Sequence, residues 1–277
     1  GKTWAPKNCE RHAKKQVSFR SALENTDNLA TVDQAMQIGL KPNIETATRF
    51  GFSTPFKPYP SLALGAFEVI PLELARAYCV FAAGGIMPFP LGLKAVVDEN
   101  SHVLERRHLK IERLISPSKA FMITSLLRGV VENGTGRTLG NKGISWPVAA
   151  KTGTTNNYRD AWFIGYTPDI LALVWVGFDN GDAIKATGAQ AALPIWAELM
   201  NAIPHQISRN DFRVPDGIVA RMICSDKGNP MVSQNCAKPR KEFFLAENAP
   251  PEPRPLDPIK GVFDKLIKGI KDIFNGD

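Results

Sequence analysis

Three short runs rich in β-branched and aromatic residues, all within residues 147–178, constrain the fold of this chain most. The runs are PVAAKTGTT, AWFIGYT and ILALVWVGF, and the segments NNYRD and PD separate them. Runs of this kind, divided by turn residues, predict three strands of an antiparallel meander. The second and third runs are apolar at nearly every position, so we expect both faces of these strands to be covered.

Helical patterns precede and follow the meander. Residues 19–40 predict two helices with a short break, and residues 62–83 predict one long apolar helix before a glycine pair. Another helix is predicted from Ser116, a good N-cap, with Pro117 at its first position. Residues 194–203 return to a helical pattern. An antiparallel sheet packed between helices, an α+β fold, is the architecture that this order predicts.

Changes in composition divide the chain into four predicted segments. Residues 1–216 contain the helices and the meander, and residues 217–248 are predicted to form a small β appendage. Residues 249–258 are a stiff proline-rich linker. Residues 259–277 predict an amphipathic helix with lysines between its apolar positions. Its apolar stripe, residues 259–274, needs a cover, which is either a protein or a membrane surface with lipid phosphates.

The four cysteines suggest structural roles. Cys224 and Cys236 flank a turn-rich segment and are candidates for a short disulfide loop in an oxidising compartment. Cys79 lies in an apolar helical context, where we expect it to be buried as a small hydrophobic residue. No histidine lies near the cysteine pair, so no metal site is expected.

The composition excludes several classes of protein. A chain of 277 residues with 44% hydrophobic residues is long enough for one substantial core. No run approaches the roughly 18 apolar residues of a membrane span, and no signal peptide opens the chain. The first residue is glycine, so we expect a mature chain or a fragment. The net charge is +7, but the basic residues are scattered, which argues against nucleic-acid binding. No motif predicts a cofactor.

Lys151 is the unusual residue of the meander, because it is a single cation beside a small apolar run. A lysine on a solvated surface is the simplest interpretation. However, Thr152 and Thr154 alternate with Gly153, so their hydroxyls share one face of the strand. A glycine at this place allows another backbone to approach closely. Two hydroxyls beside an ammonium predict a site for a carboxylate-bearing ligand, which can pair with the strand if it is an edge.

The segment KTGTTNNYRDAWFIGYTPDILALVWVGFD resembles the third motif and following strands of the penicillin-binding transpeptidases, most closely the bifunctional class A proteins. The resemblance extends over residues 1–245, through WAPKN, PSLALGAFEVIPLELARAYCVFAAGG, ISPSKAFMITSLLRGVVENGTG and AALPIWAELM. It implies the penicillin-binding and serine β-lactamase-like fold and a serine acyl-transferase. The implied substrate is the peptide stem of peptidoglycan, with β-lactams as covalent inhibitors.

The third family motif is intact in this chain. The resemblance implies that Lys151 is the cation beside the nucleophile and that Thr152 and Thr154 bind the substrate carboxylate, with Gly153 and Thr155 completing the binding strand. The backbone N–H of Thr154 would be one arm of the oxyanion hole, where a preorganised donor stabilises the transition state by several kcal/mol.

The second motif, Ser-x-Asn, aligns with Thr26, Asp27 and Asn28. Asn28 matches the motif and would orient the substrate amide. Thr26 departs from it: the hydroxyl for proton relay is kept, but the extra methyl restricts the rotamer and puts proton transfer in doubt. An ordinary turn between two helices is the alternative interpretation of these residues.

The first motif, Ser-x-x-Lys, contains the nucleophile and its base in this family. The string SPSK, from Ser116 to Lys119, matches it but lies between the other two motifs, and Ser116 is already explained as an N-cap. No other match precedes Thr26. We therefore expect the nucleophile upstream of Gly1, and we expect this chain alone to be inactive.

Three functions are consistent with these features. The first is a peptidoglycan DD-transpeptidase within a bifunctional synthase, on the periplasmic face of the inner membrane and anchored through a segment outside this chain. The second is a non-catalytic module that binds peptidoglycan or β-lactams, and the third is a β-lactamase-like hydrolase. The resemblance outside the three motifs argues against the third. The N-terminal remainder of the protein is an expected partner in the first.

Overall fold

The structure is a computed structural model that describes residues 6, 8, 17–108, 111–224 and 239–251. The chain divides into two units, residues 1–218 and 219–277. The described α-helices are α1 (Phe19–Glu24), α2 (Asn28–Ile38), α3 (Leu40–Arg49), α4 (Pro71–Ala82), α5 (Pro117–Glu132) and α6 (Gly188–Ala202). The described strands of the first unit are β1 (Ile86–Pro88), β2 (Ala95–Val97), β3 (Val103–Arg106), β4 (Ile111–Arg113), β5 (Ala149–Thr154), β6 (Asp160–Tyr166) and β7 (Leu171–Gly177). Short 3-10 helices cover Pro60–Leu64, Arg137–Lys142, Asn156–Tyr158, Pro204–Gln206 and Ala246–Asn248.

The central sheet has the strand order β5–β6–β7, and both pairings are antiparallel. The predicted meander is therefore confirmed. In its register Lys151 lies opposite Ile164, and Trp162 lies opposite both Gly153 and Trp175. Strand β5 lies at one edge of this sheet as far as the described residues show.

Helix α6 covers one face of the sheet. Trp196 is fully buried there, with its ring 5.4 Å from that of Phe163 in an edge-on contact. The indole N–H of Trp196 donates to the Ala172 carbonyl at 3.0 Å, so this large side chain is buried without an unpaired polar atom. Ala150 and Leu193 are fully buried in the same cluster.

Helices α4 and α5 cover the opposite face. Ala149 and Tyr166 are fully buried with Leu127 of α5, and Tyr78 of α4 packs against them. The Tyr166 hydroxyl and the Thr124 hydroxyl are 2.9 Å apart, which pairs both polar groups inside the core. A sheet packed between helices confirms the predicted α+β architecture.

Two local predictions are confirmed. Helices α1 and α2 are separate, as residues 19–40 predicted. Ser116 is the N-cap of α5, because its side chain accepts a hydrogen bond from the Lys119 N–H at 3.3 Å.

Two other expectations are wrong. Residues 62–83 do not form one helix: a 3-10 turn ends at Gly65, whose φ of +69° breaks the helix, and α4 begins only at Pro71. Strand β6 is largely buried, but β7 is only half-covered in the described chain, and Trp175 is 38% exposed. The pairs β1–β4 and β2–β3 were not predicted.

The second unit contains a two-stranded sheet of β8 (Ile218–Cys224), which begins at the boundary between the units, and β9 (Pro239–Leu245). Cys224 is disulfide-bonded, but Cys236 lies outside the described residues, so the predicted pairing stays a prediction. Cys79 has a free thiol and is half-buried. Most of the predicted linker and the whole predicted C-terminal helix also lie outside the described residues. Among the described helices, none is long and apolar enough to cross a membrane.

Candidate active site

Strand β5 divides the predicted site residues between the two faces of the sheet. Side chains alternate along a strand, so Lys151 shares a face with buried Ala149, toward α4 and α5. Thr152 and Thr154 share the other face, with Ala150, toward α6. The two hydroxyls lie on one face as predicted, whereas the Lys151 side chain leaves the strand from the opposite face.

The backbone of β5 presents polar groups to its open edge. The Thr155 N–H donates to the Asp160 carbonyl at 3.1 Å, so residues 155 and 160 form a hydrogen-bonded pair. In an antiparallel ladder, every second residue of a strand forms such a pair with the neighbouring strand. Residues 151, 153 and 155 therefore face β6, while the N–H and C=O groups of Thr152 and Thr154 point to the open edge. This orientation is the one that an oxyanion arm at the Thr154 N–H requires.

The Lys151 ammonium lies at the junction between this strand and α1. Its Nζ donates to the Thr26 Oγ1 at 2.8 Å and to the Thr152 carbonyl at 3.0 Å. Burial disfavours the charged form and lowers the pKa of Lys151 from 10.5 to about 8. The simplest interpretation, a lysine on a solvated surface, does not describe this side chain.

Thr26 holds its hydroxyl toward Lys151 from a strained turn. Its φ is +55°, in the left-handed region, which is unusual for a β-branched residue. The turn is fixed at both ends: the Asp27 N–H donates to the Ala22 carbonyl at 2.8 Å, and the Asp27 carboxylate caps α2 by accepting from the Ala30 N–H at 3.0 Å. Asn28 is the first residue of α2, two positions after Thr26, and its predicted contact with a substrate amide stays a prediction.

The threonine hydroxyls of β5 already have protein partners. The Thr154 Oγ1 accepts from the Gly188 N–H at the start of α6, at 3.0 Å, so its own hydrogen is available to a ligand. The Thr155 Oγ1 lies 2.9 Å from the Asp160 carboxylate and accepts from the Asp160 N–H at 2.8 Å, which closes the β5–β6 turn. The Thr155 hydroxyl is therefore already hydrogen-bonded within this turn, and the binding of substrate by Thr155 stays a prediction.

Gly153 packs closely against the neighbouring strand. A Cβ at this position would lie 3.0 Å from the Cβ of Trp162 on the neighbouring strand. On the α6 side, a Cβ on Gly188 would overlap the carbonyl oxygens of Gly153 and Trp162. Gly188 therefore lets the start of α6 lie directly against the backbone of β5, whereas the close approach of a ligand at Gly153 stays a prediction.

One residue near the site was missed by the sequence reasoning. The Thr135 Oγ1 lies 2.8 Å from the Thr152 Oγ1, although Thr135 follows α5 and belongs to none of the three motifs. The only sequence signal is its place between two glycines at the end of a helix. No group of three or more His, Cys, Asp or Glu side chains in the described ranges is placed to hold a metal ion.

The chain is similar to known transpeptidases over most of its length. A family model for the penicillin binding protein transpeptidase domain matches residues 1–201. Penicillin-binding protein 1A of Aquifex aeolicus (strain VF5) is 37% identical over 217 residues, which is 78% of this chain and 30% of that protein. Penicillin-binding protein 1B of Escherichia coli (strain K12) is 33% identical over 233 residues, which is 83% of this chain and 27% of that protein.

Solved structures give the same result. Penicillin-binding protein 1A from Haemophilus influenzae superposes with a TM-score of 0.83 at 26% identity, covering 92% of this chain and 44% of that one. Penicillin-binding protein A from M. tuberculosis, in an imipenem acyl-enzyme complex, has a TM-score of 0.55 at 26% identity, covering 67% of this chain and 48% of that one.

The family match thus includes both Thr26 and Lys151, within residues 1–201. The chain spans at most 30% of the length of the two curated relatives described above. The sequence match, the fold and the meeting of the two motif positions agree: the chain belongs to the penicillin-binding protein transpeptidase family.

Proposed function

We propose that this chain is part of a peptidoglycan DD-transpeptidase within a bifunctional synthase, which cross-links stem peptides through a serine acyl-enzyme. The observation that supports this function best is the 2.8 Å hydrogen bond from Lys151 to Thr26. It joins the third motif to the second motif position across 125 residues of sequence. A desolvated ammonium bonded to a hydroxyl is an arrangement suited to proton transfer.

The stem peptide binds along the open edge of β5 as an added strand. The outward-facing backbone groups of Thr152 and Thr154 supply its main-chain hydrogen bonds. The hydroxyls of the same two residues bind its terminal carboxylate, and the positive charge of Lys151, across the strand, favours the anion. β-Lactams bind in the same place, because their carboxylate and ring carbonyl resemble the peptide terminus.

The reaction proceeds by acyl transfer in two steps. The nucleophilic serine attacks the donor carbonyl carbon, its O–H proton passes to the departing D-alanine nitrogen, and the C–N bond breaks. The amine of a second stem peptide then attacks the ester carbonyl carbon, the C–O bond to the serine breaks, and the amine proton passes to the serine oxygen, which forms the cross-link and restores the serine. The Thr154 N–H stabilises the oxyanion in both steps.

Thr26 carries the proton in this scheme. Lys151 donates a hydrogen bond to the Thr26 oxygen, so the hydrogen of the Thr26 hydroxyl is free to donate to the leaving nitrogen. As Thr26 gives up this proton, it takes the proton of the serine. The fixed positive charge of Lys151 stabilises the negative charge that develops on these oxygens.

The nucleophile lies in a segment outside this sequence. No Ser-x-x-Lys precedes Thr26, and the Ser116 hydroxyl accepts the capping hydrogen bond of α5. The same remainder of the protein supplies the membrane anchor, which places the domain on the periplasmic face of the inner membrane. The helix predicted at residues 259–274 contacts a protein or the membrane surface.

The test uses the full-length protein and a fluorescent penicillin. We expect a stable covalent label on a serine outside this sequence, located by mass spectrometry, and no label after Lys151→Ala. The 277-residue chain by itself should remain unlabelled. A label on Ser116, or a Lys151→Ala variant labelled at the wild-type rate, would refute the assignment. Saturable binding without a label would indicate a non-catalytic module, and rapid repeated hydrolysis of the β-lactam would indicate a β-lactamase.

A further inference from the structure

Thr135 connects two parts of the candidate site, and the mechanism above does not use it. Its backbone N–H donates to the Glu24 carbonyl at 3.1 Å, at the end of α1, just before the turn that contains Thr26. Its hydroxyl oxygen lies 2.8 Å from the Thr152 Oγ1 on β5. One residue therefore links the Thr26 side of the site to the strand that binds the carboxylate.

The segment that contains Thr135 has little freedom to move. The N–H groups of Gly134 and Gly136 both donate to the Val130 carbonyl, at 3.1 and 2.9 Å, which ends α5. A Cβ on Gly134 would overlap the Glu24 carbonyl oxygen, so the two backbones are in direct contact. Hence the backbone that carries Thr135 is fixed by its packing against the end of α1.

The end of α1, against which this segment packs, is also held by buried polar contacts. Glu24 is 3% exposed and lies 3.8 Å from the guanidinium of Arg20. Arg20 is also buried, and it donates to the Ser125 carbonyl at 2.7 Å and to the Ser125 hydroxyl at 2.9 Å. These contacts hold α1 against α5, the helix that Thr135 follows in the chain.

The direction of the hydrogen bond between Thr135 and Thr152 decides whether the Thr152 hydroxyl hydrogen is available to a ligand. A threonine hydroxyl has one hydrogen to donate and two acceptor positions, whereas a carboxylate only accepts. If Thr152 donates to Thr135, no hydrogen remains for the carboxylate. If Thr135 donates to Thr152, the Thr152 hydrogen is free, and the hydrogen bond to its oxygen makes it a stronger donor.

We propose that Thr135 is a positioning residue for carboxylate recognition: it donates its hydrogen to Thr152 and so directs the Thr152 hydroxyl toward the ligand. This inference rests on the proposed function, in which Thr152 binds the substrate carboxylate. Thr135 itself touches no substrate. It acts by lowering the cost of orienting Thr152 when a stem peptide or β-lactam binds.

The test measures penicillin acylation kinetics of the full-length protein as a double-mutant cycle. Thr135→Val, which removes the hydroxyl and keeps the shape, should lower the second-order acylation constant about three- to tenfold, the effect of one hydrogen bond. The loss should appear in the apparent binding constant, with the limiting acylation rate nearly unchanged. In the Thr152→Val background, the same substitution should have almost no effect.

Two variants serve as controls. Thr135→Ser keeps the hydroxyl and should restore wild-type kinetics. Thr138→Val makes the same chemical change at an exposed threonine three residues further on and should be silent. Melting curves of each variant report its folding, and if Thr135→Val does not fold, Thr135→Ala replaces it in the cycle.

The outcomes separate this inference from the proposed function. If the wild-type protein takes no label, the proposed function fails and this inference fails with it. If the wild-type protein is labelled but Thr135→Val matches it, only the role of Thr135 is refuted. An equal loss in the wild-type and Thr152→Val backgrounds would also refute it, because the effect would not pass through Thr152.

Discussion

Replacing Lys151 by methionine should abolish penicillin labelling and at the same time stabilise the domain. Burial lowers the pKa of this lysine from 10.5 to about 8. At 1.36 kcal/mol per pKa unit, holding the charged form in the folded state costs about 3 kcal/mol relative to the neutral form. Methionine carries no charge but loses the polar contacts of the nitrogen, about 1 kcal/mol. The expected net gain in the free energy of unfolding at pH 7 is about 2 kcal/mol.

The pH dependence of this gain has a definite sign. Below pH 8 the lysine is protonated in both the folded and unfolded states, so the full cost of the buried charge is present. Between about pH 8 and 10.5 the unfolded state keeps a proton that the folded state has lost, so the wild-type protein becomes more stable as the pH rises. The advantage of Lys151→Met should therefore be largest near pH 7 and disappear toward pH 10.5.

Differential scanning calorimetry of the full-length protein measures this effect. The transition of the transpeptidase domain is the one that shifts when a β-lactam acylates the protein. At pH 7 we expect a rise in Tm of about 5 °C for Lys151→Met. Lys142→Met is the matched control, since Lys142 is exposed, and it should change neither Tm nor labelling. An unchanged or lower Tm for Lys151→Met at pH 7, or parallel profiles from pH 7 to 10, would refute the argument that the ammonium is desolvated.

Three further predictions follow from the same contacts. Thr26→Ser should label at the wild-type rate or faster, since the hydroxyl stays and the methyl that disfavours a left-handed φ goes; a tenfold drop in stopped-flow labelling would show that the methyl is needed. Gly134→Ala should cost about 3 kcal/mol in urea unfolding, because its Cβ would overlap the Glu24 carbonyl, whereas Gly140→Ala, with open space at its Cβ, should not; equal stabilities would contradict the packing. The wild-type labelling rate should fall as the pH rises above about 8, where Lys151 loses its charge, and a flat profile from pH 7 to 9.5 would exclude a role for the ammonium.

The central sheet could be predicted because its sequence signals are local and strong. β-Branched and aromatic runs divided by turn residues specify β5, β6 and β7 without any tertiary information. Strands β1 to β4 have only three or four residues each, and β2 to β4 are fully exposed, so they carry no burial pattern to detect. The prediction of one long helix at residues 62–83 was wrong for a different reason. The hydrophobic pattern favoured a continuous helix, but Gly65 adopts a left-handed conformation that interrupts it.

The candidate site was only partly predictable from residues alone. Lys151 is conspicuous in the sequence because it interrupts an apolar strand, but its partner Thr26 was identified only through the family motif. Thr135 gave no such signal, because its contact with Thr152 is created by the packing of two glycines against α1 and not by any local pattern. Alternation along the strand already puts the Lys151 side chain on the opposite face from Thr152 and Thr154, but which helices cover each face of β5 required the structure.

Two locally unfavourable features meet in one hydrogen bond, and this coincidence favours a functional over a structural origin. A β-branched residue with φ of +55° costs about 1–3 kcal/mol, and a lysine with a pKa of about 8 costs a similar amount. A single substitution would remove either cost: glycine or asparagine would fit the turn at position 26, and an apolar residue would fit the strand at position 151. Neither substitution is present. Instead, the turn at Thr26 is held by Leu23 and Ala22 at the end of α1 and by the Asp27 cap of α2, which keeps the hydroxyl 2.8 Å from Lys151. Selection for stability alone would remove both features, whereas the proton transfer proposed for this site uses the ammonium and the hydroxyl together.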